Sequence, residues 1–498
     1  MTMERVLPLK DECALHDAAD TRLLEQRLAA TLPPHTLMRR AGDAVARLAL
    51  ALAPHAQRIW IAAGPGNNGG DGLEAALHLQ QAGKAVEVSR VGDASKLPPD
   101  AADALARALQ AGVRTVASPH PGNPCDLAID ALLGIGASRP PDGALAEAIR
   151  HLNAHDGPLL AVDLPSGLSD RTGQPLGANC VTASHTLALL TLKPGLFTAS
   201  GRDHTGSVWF ESLGADPASI EPTAWLSFAA PMAARRHAQH KGSFGDVAVV
   251  GGAPGMTGAA LLAARAAQAA GAGRVHIELL DRSAAATRVD PLRPELMFRE
   301  HWSRDAGTAL ARTTVVCGCG GGDAVRAALP RLLGAARRLV LDADALNALA
   351  ADASLAALLR ARSARGAATV LTPHPLEAAR LLNCATAEVQ ADRLRAAREL
   401  ADRFQCVAVL KGSGSVIAAP AGTPRINSTG NAALASAGTG DVLAGWLAGR
   451  WAQAPAGDEA RVAFEAARRA VAEHGAAAEP PPRGALRAGD LIERLTTR

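Results

Sequence analysis

Arg58-Ile59-Trp60-Ile61-Ala62-Ala63-Gly64-Pro65-Gly66-Asn67-Asn68-Gly69-Gly70-Asp71-Gly72 is the stretch whose reading decides the fold. The run Arg58–Ala63 is apolar, too short for a buried helix and closed by Gly-Pro, which predicts a strand covered on both faces. Glycines then make a turn, and Leu73–Gln81 follows as a helix. A glycine-rich turn between strand and helix exposes backbone N–H groups at the positive helix end, where phosphates bind. Gly64, Gly66 and Gly69 satisfy G-x-G-x-x-G, with Glu87 closing the next strand where a ribose-binding acid would sit. A plain dinucleotide-binding Rossmann unit is therefore one reading, and a purely structural glycine turn is another. The longer string Asn-Asn-Gly-Gly-Asp-Gly adds two amides and a carboxylate, which can hold phosphate on one side and a hard cation on the other.

Outward from this unit the same style repeats. Ala85–Ser89, Asp126–Asp130, Leu159–Asp163 and His185–Leu192 read as further buried parallel strands, with Gly143–Leu152 as a helix among them. The second half continues with Asp246–Gly251, Arg274–Leu279, Thr314–Gly318, Arg338–Asp342, Ala368–Thr372 and Val407–Lys411. This alternation predicts α/β layering, and no repeat relates the halves. A chain of 498 residues exceeds one core. The polar, turn-rich Leu213–Pro222 puts a boundary within residues 212–230, giving domains 1–222 and 223–498.

Composition narrows the partners. A net charge of +3 with scattered basic residues predicts no nucleic-acid footprint, so a small-molecule ligand is expected. The apolar stretch Ala44–Ala53 is interrupted by Arg47 and is too short for a bilayer, so no membrane association is expected. Met1–Lys10 has no apolar core behind a basic start, which predicts no secretory signal. Seven cysteines without a Cys-x-x-Cys pair read as reduced thiols of a cytoplasmic protein. No tyrosine is present, so no phenol serves as acid or base, while 48 glycines beside abundant alanine point to tight helix packing.

Two more loops close strands in the first half: Asp130-Ala131-Leu132-Leu133-Gly134-Ile135-Gly136-Ala137-Ser138-Arg139-Pro140 and Val162-Asp163-Leu164-Pro165-Ser166-Gly167. Asp163 reads either as a turn former or as an acid/base at the sheet mouth. With Leu37-Met38-Arg39-Arg40-Ala41-Gly42, these loops resemble the NAD(P)H-hydrate epimerase family over most of residues 10–215. The resemblance implies a Rossmann-like three-layer sandwich. It implies that Asn67, Asn68, Gly69, Gly70 and Asp71, with Gly134, Ile135, Gly136, Ala137, Ser138, Arg139 and Pro140, hold the hydrated nucleotide. Asp163 would meet its nicotinamide end as the catalytic group. Asn68, Asp130 and Ser166 would coordinate K+, a place another monovalent ion or a water could equally take. Lys193 stands where the family often has lysine and reads as a binding or proton-shuttling group, or else as a solvated surface lysine. Arg39 replaces a common acidic residue, a change expected to be neutral.

In the second half, Lys241–Gly245 leads into Asp246–Gly251 and then Gly252-Ala253-Pro254-Gly255-Met256-Thr257-Gly258. Cys317-Gly318-Cys319-Gly320-Gly321-Gly322, Asp342–Asn347, Thr372-Pro373-His374-Pro375 and Lys411-Gly412-Ser413-Gly414-Ser415 follow in order. Asn427-Ser428-Thr429-Gly430-Asn431 and Gly438-Thr439-Gly440-Asp441 complete the series. Gly-Thr-Gly-Asp before a helix makes an anion hole with a carboxylate at its entrance, suited to steering a hydroxyl toward a phosphoryl group. An N-cap aspartate is the plainer reading of Asp441. A histidine is more often structural, yet the rigid Pro-His-Pro loop at a strand end favours ligand contact for His374. No ligand-type residues accompany Cys317 and Cys319, which read as small residues beside a close backbone approach.

In this order the motifs resemble the ribokinase-like NAD(P)H-hydrate dehydratases over residues 228–495. The resemblance implies a ribokinase-like α/β domain in which Ala253, Gly320, His374 and Asp441 contact the hydrate. Lys411, Gly412, Ser413, Gly414, Ser415 and Gly440 would hold ADP, accompanied by Mg2+. Pro375 and Ala433 depart from frequent glycines without removing a polar group.

Together the halves imply epimerisation of R- and S-NAD(P)HX and ADP-dependent dehydration of the S form, with NADHX and NADPHX as substrates and a homo-oligomer expected. Hydroxide leaves a ring carbon poorly; phosphorylation makes it a good leaving group, which accounts for a kinase-like anion hole in an elimination enzyme. The rivals are a small-molecule kinase fused to a Rossmann domain and a non-catalytic nucleotide-binding protein.

Overall fold

Arg58–Ala63 forms the predicted strand, and its side chains alternate between two buried clusters. Ile59, Ile61 and Ala63 pack with the helices Thr36–Leu52, Asn67–Gln81 and Pro99–Gln110, whereas Trp60 and Ala62 pack with Gly143–Asn153. Helices on both faces of one sheet make the three-layer sandwich. The computed structural model describes residues 3–118, 124–228, 235–283, 288–482 and 484–497, and the chain divides into two compact units, Met1–Leu226 and Ser227–Arg498. Residues 229 and 230 of the expected linker region lie outside the described residues.

In the first unit the strand order is Glu4–Arg5, Ser207–Glu211, His185–Leu189, Leu159–Val162, Leu127–Ala131, Arg58–Ala63, Ala85–Arg90, Arg114–Val116. All pairs are parallel except the first. The central strand Arg58–Ala63 has Ala85–Arg90 on one side and Leu127–Ala131 on the other, so the chain order reverses there. A crevice opens at such a switch point, at the carboxyl ends of the strands, and the loops from Gly64 and from Leu132 both emerge into it.

Here the structure corrects the sequence reading. The helix begins at Asn67, with Gly66 as its cap, so Asn67–Asp71 is the first helical turn rather than part of a loop before Leu73. The reason is steric: a Cβ on Gly69 would lie 2.0 Å from the Gly64 carbonyl oxygen, and one on Gly64 1.8 Å from that of Leu132. Glycine lets helix start and neighbouring loop close to backbone contact. Glu87 lies inside its strand, which runs to Arg90, and pairs with Arg114 at 3.2 Å. It is therefore no ribose acid at a strand end. The strand expected to run to Leu192 stops at Leu189, where Leu190 turns the chain at φ +63°.

The second unit orders its strands Met297–Phe298, Arg274–Leu279, Asp246–Gly251, Thr313–Cys317, Arg338–Leu341, Ala368–Leu371, Val407–Leu410, Val416–Ala418, Arg425–Asn427. Pairing is parallel up to Val407–Leu410 and antiparallel beyond it. Asp246–Gly251 is again a switch strand, between Arg274–Leu279 and Thr313–Cys317. Helix Thr439–Ala452 lies on helix Thr257–Ala269 at glycine contacts. A Cβ on Gly445 would meet the Ala263 carbonyl oxygen at 1.9 Å, and one on Gly449 that of Ala267 at 2.4 Å. This seam fixes the axial and lateral position of the helix that starts with Thr439-Gly440-Asp441.

Candidate active sites

The crevice of the first unit is a cavity of about 610 Å³ lined by Asn67, Asn68, Asp71, Gly134, Ile135, Gly136, Ala137 and Asp163. Gly69 and Gly70 are buried in helix packing instead, and Ser138, Arg139 and Pro140 are exposed outside the lining. At the cavity floor Asp163 follows the strand Leu159–Val162 in the left-handed region, φ +66°. That conformation is costly for a non-glycine residue, and such strain gathers at functional positions. Asp163 accepts through Oδ1 from the Lys193 ammonium, which also donates to the Leu189 carbonyl at 2.8 Å. Lys193 is fully buried, so the surface-lysine reading is excluded. Arg39, by contrast, is exposed and only loosely paired with Asp103 at 3.9 Å.

Asp130 and Ser166 are completely buried below the same loops. The Ser166 hydroxyl donates to Asp130 Oδ1 at 2.6 Å, and the Ser166 N–H donates to Oδ2 at 2.8 Å. No ion pair with a basic side chain relieves this carboxylate among the described residues, and burial pushes its pKa up to about 6 despite those hydrogen bonds. Asn68 carries the complementary signal: both its amide atoms are buried without a hydrogen-bond partner. Asp71 is raised well above the usual carboxylate range, by burial first and by the charge of Asp163 second.

In the second unit the switch-strand loops meet through backbone bonds: Gly252 N–H to Cys319 O at 3.0 Å and Ala253 N–H to Gly320 O at 2.7 Å. Cys319, Asp342 and Asp441 bring their donor atoms within 4.8 Å of one another. Lys411 Nζ donates to Asp342 Oδ1 at 2.8 Å, and a Cβ on Gly440 would lie 3.4 Å from that ammonium. Burial, then the charge of Asp342, pushes Asp441 up to about 7. Gly438 is the helix cap and Asp441 stands two residues inside the helix from Thr439, so the N-cap reading of Asp441 does not hold. The structure thus joins Ala253, Gly320, Lys411, Gly440 and Asp441.

His374 turns out differently. Its Nδ1 accepts from the backbone N–H groups of Leu376 and Glu377 at 3.1 and 3.4 Å, capping the helix Pro375–Leu382, while Glu377 accepts from the His374 N–H at 2.8 Å. The ring is half-exposed, and burial together with the charge of Lys411 lowers its pKa, so it works as a neutral cap beside the site. The cysteine reading is half corrected. The close approach is present, since a Cβ on Gly318 would meet the Asp342 carbonyl oxygen at 1.9 Å. Yet Cys319 does have acidic neighbours, brought by residues far along the chain.

Comparison with known proteins follows the same division. The family described as YjeF-related protein N-terminus matches residues 34–195, and that described as NAD(P)H-hydrate dehydratase matches residues 247–495. The bifunctional NAD(P)H-hydrate repair enzyme of Escherichia coli (strain K12) is 37% identical over 459 residues, covering 89% of this chain and 85% of that one. This chain belongs to the bifunctional NAD(P)H-hydrate repair enzymes. The repair enzyme of Leishmania braziliensis is 38% identical over 504 residues, covering 92% and 88%. Among solved structures, the ADP/ATP-dependent NAD(P)H-hydrate dehydratase from Bacillus subtilis, co-crystallised with ATP/Mg2+, is 29% identical, covers 53% of this chain and 92% of that chain, and has a TM-score of 0.43. The repair enzyme couples an epimerase to an NAD(P)H-hydrate dehydratase, and the kinase and binding-only readings give way to it.

Two buried residues behind these loops, His474 and Arg393, carried no sequence signal. His474 is buried in the helix Glu459–Ala477, with its pKa pushed down to about 4 by burial, and its Nε2 donates to the Thr439 carbonyl at 2.9 Å. Thr429 Oγ donates to Ala472 O at 2.8 Å, and Asn431 Nδ2 to Ala478 O at 3.0 Å. The region Ala472–Ala478 therefore holds both Asn427–Asn431 and the Gly-Thr-Gly-Asp entrance. Arg393, buried, donates to the Leu410 and Lys411 carbonyls at 3.2 and 3.1 Å and lies beneath Gly412. Within the cavity of the first unit, Arg22 and Glu25 also line the wall.

Proposed function

We propose that residues 1–222 epimerise hydrated NAD(P)H at Asp163 and that residues 223–498 dehydrate the S epimer at Asp441 with ADP as the phosphate donor. The observation that carries this reading is a carboxyl paired with a lysine at the mouth of each parallel sheet: Asp163 with the buried Lys193, and Asp342 with the half-buried Lys411 beside Asp441. In the first site Asp163 faces the cavity while Lys193 holds it in place; the Asn67–Asp71 turn and the Gly134 loop receive the nucleotide. In the second, Asp441 orients the substrate hydroxyl and takes its proton as phosphate is transferred, and the phosphate ester then leaves as the ring nitrogen pushes. Lys411–Ser415 and Gly440 hold the nucleotide, His374 borders the hydrate, and Ala253 and Gly320 form the loop pair against which it lies.

K+ fits the first site. Asn68 offers an unpartnered buried amide oxygen, and Asp130 a buried carboxylate without a cation, held by Ser166. Bound there, the ion supplies positive charge under the loops that carry the phosphates. Mg2+ fits the second site through Asp342, hard oxygen chemistry that suits a nucleotide-bound divalent ion. The thiols of all seven cysteines are free, in keeping with a reducing cytoplasm, and no helix among the described residues is long and apolar enough to cross a membrane.

The test follows the absorbance of reduced nicotinamide as the purified chain acts on both NADHX epimers, with and without ADP. An ADP-dependent rise that consumes both epimers is expected, with Asp163→Ala slowing only the epimer that the dehydratase rejects. No rise, with ADP intact, would sink the dehydratase assignment.

A further inference from the structure

Helix Ala18–Ala29 forms one wall of the cavity, with Thr21, Arg22, Glu25 and Ala29 on the lining face. The charged members differ in their partners. Arg22 reaches the Ile135 carbonyl at 3.5 Å. Glu25 makes no hydrogen bond or ion pair among the described residues, although it is only partly exposed. An unpaired carboxyl on a cavity wall is left available to a ligand in that cavity.

The chemistry asks for such a group. Inverting the hydroxyl-bearing ring carbon requires an acid for the departing oxygen and a base for the arriving water, and Asp163 with Lys193 supplies one carboxylate only. We propose that Glu25 is the second proton-transferring carboxyl of this site, facing the substrate from the helical wall while Asp163 faces it from the sheet. The proposal rests on the reading of the cavity as the epimerase site. The carbon–oxygen bond breaks as the Glu25 carboxyl gives its proton to the hydroxyl oxygen. Water leaves with the bond pair, and the ring nitrogen's lone pair forms the carbon–nitrogen double bond. Water then adds to the other face, closing a new carbon–oxygen bond and giving its proton to Asp163. Glu25 ends one proton poorer and Asp163 one richer, which is the protonation state from which the opposite epimer reacts in reverse.

The surroundings agree with these roles. Burial, then the charge of Asp163, raises the pKa of Glu25, while Lys193 and Arg22 act against the rise and Asp100 adds to it. Asp71 faces the same space, but burial and the charges of Asp163, Glu25, Glu74 and Asp100 make it hold its proton more tightly than Glu25 does.

The experiment uses the full chain with both epimers, ADP and Mg2+. Direct dehydration of the accepted epimer, a fast phase, serves as the internal control, and consumption of the other epimer reports epimerisation. Glu25→Gln is expected to slow that second phase by about 10²–10⁴-fold with KM unchanged, and to remove the alkaline limb of its pH profile. Glu25→Asp restores the limb and part of the rate, and the first unit's thermal transition stays in place in both variants. A second phase at the wild-type rate in Glu25→Gln, an alkaline limb that persists there, or loss of that limb in Asp71→Asn instead overturns the proposal. If Asp163→Asn also leaves the second phase untouched, the cavity reading itself falls.

Discussion

Asp441→Asn removes the carboxylate at the entrance of helix Thr439–Ala452 while keeping its shape. Asp441 titrates near 7 because it is buried beside Asp342. As a base it works when ionised, so the sign is fixed: dehydration falls as pH drops through that value. Between about pH 8 and about pH 6 the ionised fraction goes from about nine-tenths to about one-tenth, a roughly tenfold loss of kcat. Removing the group costs about 10²–10⁴ in kcat, equivalent to about 3–5 kcal/mol of barrier. What rate remains lacks the acid limb. The assay is nicotinamide absorbance with the S epimer at saturating ADP and Mg2+, across the pH range, for both proteins. An Asp441→Asn enzyme within threefold of wild type, or one that keeps the same acid limb, would refute the assignment and move the base to Asp342.

Three further outcomes are expected. Gly445→Val places atoms where the Ala263 carbonyl oxygen lies 1.9 Å from a Cβ, and overpacking of about 1–3 kcal/mol should lower the second unit's thermal transition while leaving the first unchanged. His374→Ala should cost about 0.5–2 kcal/mol as a lost helix cap, and His374→Asn should restore that stability; turnover that recovers with it makes His374 structural only, whereas a raised KM for the hydrate assigns it ligand contact. Asp130 keeps a proton up to about 6 when folded, above its unfolded value, so the first unit gains stability as pH falls through that window. K+ in place of Na+ should therefore raise the thermal transition at neutral pH, with the increment fading below about pH 6; an equal increment at both pH values would argue against Asp130 as its ligand.

The sheet and its mouth were readable in the sequence because buried parallel strands are short continuous apolar runs punctuated by glycine, as Arg58–Ala63 and Asp246–Gly251 are. Asp163 was readable because it follows such a run, and Asp441 because Gly-Thr-Gly-Asp stands before a helix. Strand ends slipped by a residue or more where a polar residue takes a positive φ, as at Asp163, since nothing in an Asp announces that conformation. The helical start at Asn67 was hidden by two glycines that look like a turn but serve backbone contact. Lys193 was legible as a binding group or a surface lysine, and its burial decides between the two; His474 and Arg393 lie in ordinary-looking surroundings, and only tertiary burial gives them their roles. Cys319, Asp342 and Asp441 come from three separate stretches, a convergence no local pattern encodes.

The left-handed backbone at Asp163 also bears on how this activity could be lost by descent. Glycine adopts that conformation freely and asparagine more readily than most residues, and either codon for aspartate reaches both by a single base change. A lineage released from the need to epimerise can therefore drop the carboxylate without disturbing the loop, leaving a well-folded nucleotide receptor. Branched residues at this position would instead unfold the turn and be purged. Silent paralogues of the first domain, where they exist, should carry asparagine or glycine here far more often than valine or isoleucine.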